Sequence, residues 1–379
     1  MQRPSFFRRY LLPGFVFQSV VIAGGYGTGR ELAEFFLTQG PLGGLLGMAV
    51  STLVWSAVCM ATFEFARLYR TYDYRHFFKA LLGPGWVLFE ICYVALLVIV
   101  LAVIAAAAGT ILHETFDLAY AVGVVGIIAA VGVLVFGGSA IIERFLAGWS
   151  FLLYAVYVLF FIWAFRVFGS DISAHLQTAP PGTGWAWAGL RYAGYNLAVI
   201  PAVLITLRHH ECRVDTLVAG ALAGPIAIVP GVLFYLAMVG LYPDILERPV
   251  PANMLLETLG SRTFQITFQV VLFGTLIETG TGLIHAVNER IAGLRRDHHA
   301  PFPRWVRPAV ATAFLVLGAL VSRFGLIGLI ARGYGTLTFL FIAIYVLPVL
   351  TLGVLRIRRA PVAGMETPAQ AARPEEAGA

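Results

Sequence analysis

Arg30, Glu31 and Glu34 stand inside the first long apolar stretch of the chain, directly after AGGYGTG at 23–29, which holds four glycines in seven residues. An ionisable side chain near the middle of a bilayer costs roughly 2.5–3.5 kcal/mol to insert, so each needs a partner or a purpose. Arg30 and Glu34, four apart, share a helical face and can neutralise each other; left unpaired, Arg30 would favour a solute carrying a carboxylate. A second set lies in VLFGTLIETGTGLIHAVNERI at 271–291. There Glu278, Thr281, His285 and Asn288 recur at spacings of three and four, one face of a helix. A buried mid-span carboxylate such as Glu278 suits a proton carrier, and His285 could pass the proton onward. The hydroxyl of Thr279 or Thr281 would instead suit Na⁺. The plain alternative is an interhelical hydrogen-bond network that only holds the bundle.

The glycine run supplies chemistry through its backbone. Irregular backbone at membrane depth is tolerated only where protein or a water-filled cavity surrounds it. It offers unpaired N–H and C=O groups and half-helix ends with their dipoles. N–H groups near Thr28 suit a carboxylate, and the preceding carbonyls suit an ammonium group or a metal cation. A zwitterion fits both. A matching weak point occurs in WAWAGLRYAGYNLAVIPAVLITL, 185–207, at Gly194, Tyr195 and Asn196, with Pro201 removing a further donor. A simple kink is the competing reading at both places. The residues expected to hold a solute are Gly25, Tyr26, Gly27, Thr28, Gly29 and Arg30 with Tyr195 and Asn196.

The elements that must position these residues are membrane spans. The chain of 379 residues is 59% hydrophobic and 12% charged, with mean hydropathy +0.83; a soluble domain carries about twice that charge. Apolar stretches of ~20 residues recur from end to end. Ten spans are expected, at 12–37, 41–66, 86–112, 119–137, 144–168, 185–207, 214–241, 263–289, 306–322 and 325–355. The polar connections 169–184 and 242–262 are too short to fold alone. With the N-terminus inside, most of the 26 Lys and Arg fall on inside segments, among them Arg8, Arg9, Arg67, Arg70, Arg75, Lys79, Arg356, Arg358 and Arg359. That bias places both termini in the cytoplasm. The net charge of +6 thus reports membrane orientation and not nucleic-acid binding. Cys59, Cys92 and Cys212 indicate no disulfide framework. The first span lacks a small-residue cleavage site and is expected to be retained.

Spans 1 and 6, and likewise 2 and 7, begin about 173 residues apart, so the chain divides into 1–169 and 170–359, followed by a disordered cytoplasmic tail at 360–379. Five spans per half makes the second half inverted. Inverted repeats with interrupted helices at matching places mark the solute site of many transporters. The glycine-rich break (Gly24 to Glu31) and the second break in span 6 resemble the LeuT fold. More closely, GGYGTGRE and YNLAVIPAVL (Tyr195–Leu204) are similar to the YkvI-type membrane proteins of the amino acid–polyamine–organocation superfamily. That resemblance covers nearly all of 10–357. It implies alternating access, with solute between the breaks and a cation in many relatives between spans 1 and 8. Because a salt bridge between spans 1 and 10 gates some relatives, Glu31 or Glu34 with Arg332 is the expected outer gate. Arg191 either touches solute or snorkels outward.

The fold class expected is therefore an all-α polytopic protein of the plasma membrane, ten helices as a 5+5 inverted repeat with helices 1 and 6 broken. The function expected is secondary transport of a small amino acid or related carboxylate, coupled to H⁺ before Na⁺. A ligand sensor on the same fold and a passive channel or uniporter are the alternatives. GYGT at 25–28 and again at 333–336 resembles a potassium filter, but such a filter needs a re-entrant loop, and both copies lie inside spans. No HExxH or GxSxG occurs, and RHHEC at 208–212 puts adjacent histidines on different faces, so no catalytic or metal residue, cofactor or enzyme activity is expected. Glu64 and Glu90 are expected to pair near Arg67, Arg70 and Arg75. The partners are a small molecule and the lipid bilayer; a homodimer is compatible.

Overall fold

The computed structural model describes residues 5–22, 24–137, 139–297 and 305–360; the expected tail, from 361 onward, lies outside the described residues, as do His298 and His299 of the loop after span 8. Helix is the only regular structure among the described residues. The elements are α1 (Leu12–Val21), the single turn α2 (Gly24–Gly27), α3 (Arg30–Phe35), α4 (Pro41–Tyr69), α5 (Tyr74–Leu82), α6 (Trp86–Phe116) and α7 (Tyr120–Gly137). Then come α8 (Ser139–Thr178), α9 (Trp185–Asn196), α10 (Arg213–Val239), α11 (Pro251–Thr258), α12 (Arg262–Asp297) and α13 (Val306–Val321). A terminal helix, Leu326–Arg359, mixes α and π turns.

Among the described residues, six helical stretches are long and apolar enough to cross a membrane: Pro41–Tyr69, Tyr74–Phe116, Leu152–Thr178, Arg213–Val239, Arg262–His285 and Leu326–Arg359. Tyr120–Phe136 and Pro308–Phe324 are apolar but shorter. The first and sixth apolar segments are interrupted, which is why neither reaches spanning length as one helix. The stretch 169–184, expected as a connection, is largely helix, because α8 runs on to Thr178 with Phe168 and Ile172 buried on its inner side. Within 242–262 the chain forms a 3₁₀ turn, Asp244–Glu247, and then α11.

Local chemistry sets several boundaries. Gly40, at φ 79°, turns the chain into Pro41, whose fixed φ opens α4. The Asp73 carboxylate accepts the His76 backbone N–H at 3.0 Å and caps α5. Glycines then decide how closely the spans approach. A Cβ on Gly189 of α9 would meet the Gly47 carbonyl oxygen at 2.2 Å, and one on Gly224 of α10 the Thr52 carbonyl oxygen at 2.4 Å. Ser51 and Ser56 of α4 reach across these seams, donating to the carbonyls of Gly189 at 2.7 Å and Ala221 at 2.8 Å. Small residues and such hydrogen bonds replace the hydrophobic drive that lipid cannot supply between helices. α9, α4 and α10 therefore form a tight centre, against which the broken first helix lies.

A polar cluster ties the N-terminal segment to this centre. Arg9 pairs with Asp215 at 2.6 Å, and Tyr10 donates to the same carboxylate at 3.2 Å. Glu64 is held by Arg67 at 2.7 Å and by the Thr216 hydroxyl at 2.6 Å, as its position near the end of its span suggests.

Candidate functional site: a carboxylate between two interrupted helices

α1 ends at Val21, and Ile22 leaves helical geometry at ψ 79°. One turn of helix follows, then Thr28 and Gly29 before α3. Gly29 has φ +80°, the left-handed region that a side chain resists, and a Cβ there would also strike Phe234 at 2.7 Å. The Thr28 hydroxyl donates to the Gly25 carbonyl at 2.9 Å, and the Thr28 carbonyl accepts Ala252 N–H at 3.0 Å. So the break exists, but much of its backbone is already satisfied by protein. The second interruption takes a different form. α9 ends at Asn196, and the chain continues as two 3₁₀ segments, Leu197–Ala202 and Leu204–His209. It tightens and does not open into a loop.

Glu31 links the two interruptions. Its side chain is 2% exposed and accepts a short hydrogen bond from the Tyr195 hydroxyl. Gly25 makes room for it, since a Cβ there would overlap the carboxylate oxygen at 2.1 Å. No ion pair involves Glu31 among the described residues. It borders a cavity of about 50 Å³, walled by Val20, Val21, Leu96, Leu97, Tyr93, Tyr195, Asn196, Thr279 and Tyr334 among others. That space holds a few waters and no larger solute. Next to it, sharing Val20, Tyr93, Thr279 and Leu283, is a chamber of about 270 Å³ that also meets Tyr154, Ala202 and Glu278.

Beside Glu31 the rings are packed into a plug. Tyr195 stacks on Tyr334 with centroids 4.6 Å apart, Phe35 lies 5.6 Å from Tyr195, and Phe36 meets Tyr192 at 4.6 Å. The Arg191 guanidinium sits 5.5 Å over Phe35. Arg191 is therefore a packing cation on the plug, neither lining the cavity nor simply turned outward.

The expected site residues separate into those the structure gathers and those it does not. Tyr195, Asn196 and Thr279 line the cavity with Glu31, and Gly25 adjoins it. Tyr26 is buried with its hydroxyl against Gly231, and Gly27 packs on Leu272, so both face away from the cavity. Arg30 is engaged through both terminal nitrogens, while its buried Nε has no partner among the described residues. Its guanidinium donates to the carbonyls of Leu246 at 2.8 Å and Arg248 at 3.2 Å and pairs with Glu34 at 2.7 Å. It is not presented to a solute. Arg332 is exposed and makes no ion pair with Glu31 or Glu34, so the expected gate pair is absent; Glu34 prefers its i−4 neighbour and Glu31 faces the cavity. On α12 the polar stripe divides. Glu278 lines the larger chamber, whereas Thr281 is fully buried without a hydrogen-bond partner, and His285 and Asn288 do not line either space. Thr279, beside the stripe, lines both.

Tyr93 and Tyr334 are wall residues that sequence reasoning did not select. Tyr334 lies in the second GYGT, weighed in the sequence only against a potassium filter. The aromatic residue at its centre was the available signal. His210, within RHHEC, is buried and donates from Nε2 to the Arg9 carbonyl at 2.6 Å, a structural contact near the end of the sixth apolar segment.

With this geometry established, its relatives can be placed. No protein-family model matches the chain. The "Uncharacterized membrane protein YkvI" of Bacillus subtilis is 21% identical over 285 residues, spanning 73% of this chain and 79% of that one. Among solved structures, MhsT in complex with L-phenylalanine superposes with a TM-score of 0.58 at 15% identity, over 94% of this chain and 98% of its own. A mutant of the manganese transporter of Eremococcus coleocola gives 0.53 at 15% identity, over 92% and 81%. The chain is a membrane protein with the LeuT-like fold of these structures.

Proposed function

We propose that the protein is a secondary transporter working by alternating access, built as ten spans in a 5+5 inverted repeat. The observation that carries this reading is the meeting of Glu31 and Tyr195, one from each interrupted helix, across a small cavity that adjoins a larger one. The fold is shared with solved transporters, and no hydrolytic motif argues for an enzyme. The solute is a small molecule bearing an amino group, because the cavity presents a carboxylate. A carboxylate solute without an amino group finds no fixed cation there, since Arg30 is committed elsewhere. The positive-inside bias puts the larger chamber on the cytoplasmic side, under an aromatic plug that closes the outer path.

Coupling to H⁺ before Na⁺ is supported by Glu278, a carboxylate on the chamber wall, while Thr281 lies away from it. Thr279 keeps a hydroxyl there, and it is the residue through which Na⁺ would act. Purified protein in liposomes decides among the readings: solute accumulation driven by an imposed proton gradient is expected. Saturable binding without flux would mean a sensor, and flux indifferent to any ion gradient would mean a uniporter.

A further inference from the structure

We infer that the group recognised at Glu31 is an organic ammonium on a short apolar body, and that a carboxylate on the solute weakens binding. The inference rests on the transporter reading's site and narrows its solute class. Among the described residues, those walling the two chambers include two carboxylates, Glu31 and Glu278, and no lysine, arginine or histidine. Apart from Tyr195, Asn196 and Thr279, the wall around Glu31 is aliphatic and aromatic: Val20, Leu96, Leu97, Val199, Tyr93 and Tyr334 among others.

Three arginines belong to the same outer region, and each is withheld. Arg30 is bound by Glu34 and two carbonyls, Arg191 lies over Phe35, and Arg332 is exposed. A carboxylate entering this space would lose water and gain no cation, at the cost that burying an unpaired charge carries. An ammonium meets the opposite situation. Among the described residues Glu31 has a single phenol donor and no cationic partner, so an incoming amine completes a charge-assisted pair. Tyrosine rings nearby add attraction for a cation. The narrow space at Glu31 takes the amino group, and the apolar walls between it and the larger chamber take a short hydrocarbon body.

The test uses three matched probes on the full chain in lipid nanodiscs at neutral pH. They are n-butylamine, L-norvaline (the same amine with a carboxylate added) and pentanoate (the same body without the amine). Calorimetry is expected to show butylamine binding, norvaline at least tenfold weaker, and pentanoate not bound. Glu31→Gln is expected to weaken butylamine at least tenfold, with Glu31→Asp intermediate. Absence of butylamine binding, norvaline or pentanoate binding as tightly as butylamine, or unaltered affinity in Glu31→Gln would each overturn the inference. The probe comparison needs no variant, so misfolding of Glu31→Gln leaves it decisive. Uptake of norvaline in liposomes without butylamine recognition would sink this inference and leave the transporter reading standing; failure of every solute to move would sink that reading instead.

Discussion

The hydroxyl of Tyr195 donates to the carboxylate of Glu31 across 164 residues of sequence, joining the two interrupted helices at one point. The bond places a buried acid on the wall of a small cavity, where the proposed cationic solute would arrive. Tyr195→Phe keeps the ring stacked on Tyr334 but leaves the carboxylate without its donor. Stability is expected to fall by roughly 1–3 kcal/mol, the cost of stranding a buried acceptor. Thermal denaturation in detergent checks it, and an unchanged melting temperature would contradict the assignment.

Arg30 and Arg332 should behave in opposite ways. Arg30→Ala strands Glu34 and two loop carbonyls, so a loss of about 3 kcal/mol is expected, at the low end for a broken buried pair. Arg332→Ala, on an exposed side chain, should change stability by no more than about 0.5 kcal/mol. If charge exchange between Glu31 and Arg332 rescued transport in a double variant, the expected gate would form in another conformation of the cycle. No rescue is the outcome this structure favours.

Glu278 is the proposed coupling carboxylate. Glu278→Gln should abolish accumulation driven by a proton gradient while leaving solute exchange across the liposome intact. Retained gradient-driven uptake would move the coupling role elsewhere, with Thr279 and Na⁺ next to be tried.

The seam between α4 and α10 predicts a steric penalty. Gly224→Val would drive a branched side chain into the Thr52 carbonyl and the Ser56 hydroxyl. Overpacking of this kind costs typically about 1–3 kcal/mol, and a lowered melting temperature with weakened solute binding is expected.

His210 offers a pH test. Burial pushes its imidazole below the ordinary value of 6.5, which keeps the ring neutral at pH 7. A base whose folded pKa is depressed contributes stability above its unfolded value, and that contribution is lost as pH falls through the folded one. Melting temperatures should therefore drop on acidification from pH 7 to pH 5, and His210→Gln should flatten the slope.

The long apolar helices and the interruption of the first were legible because length, hydropathy and glycine are local signals. AGGYGTG announced its break, and the structure puts one there. The burial of Glu31 was not legible, since Glu31 and Glu34 are equally acidic neighbours. What separates them is the space that Gly25 leaves for one and the reach of Arg30 to the other. The stripe on α12 misled for a related reason: helical spacing shows that residues share a face but not which helix the face meets. Asn196 and Tyr195 were found because a weak point implied them, although the chain there tightens into 3₁₀ turns.

Arg30 grips the carbonyls of Leu246 and Arg248, and Thr28 accepts the N–H of Ala252, so the short segment 246–252 is fastened to the hinge of the first helix. Whatever moves that helix must drag the segment along. Under the proposed alternating access, an antibody fragment raised against this strap would arrest transport without ever entering the cavity.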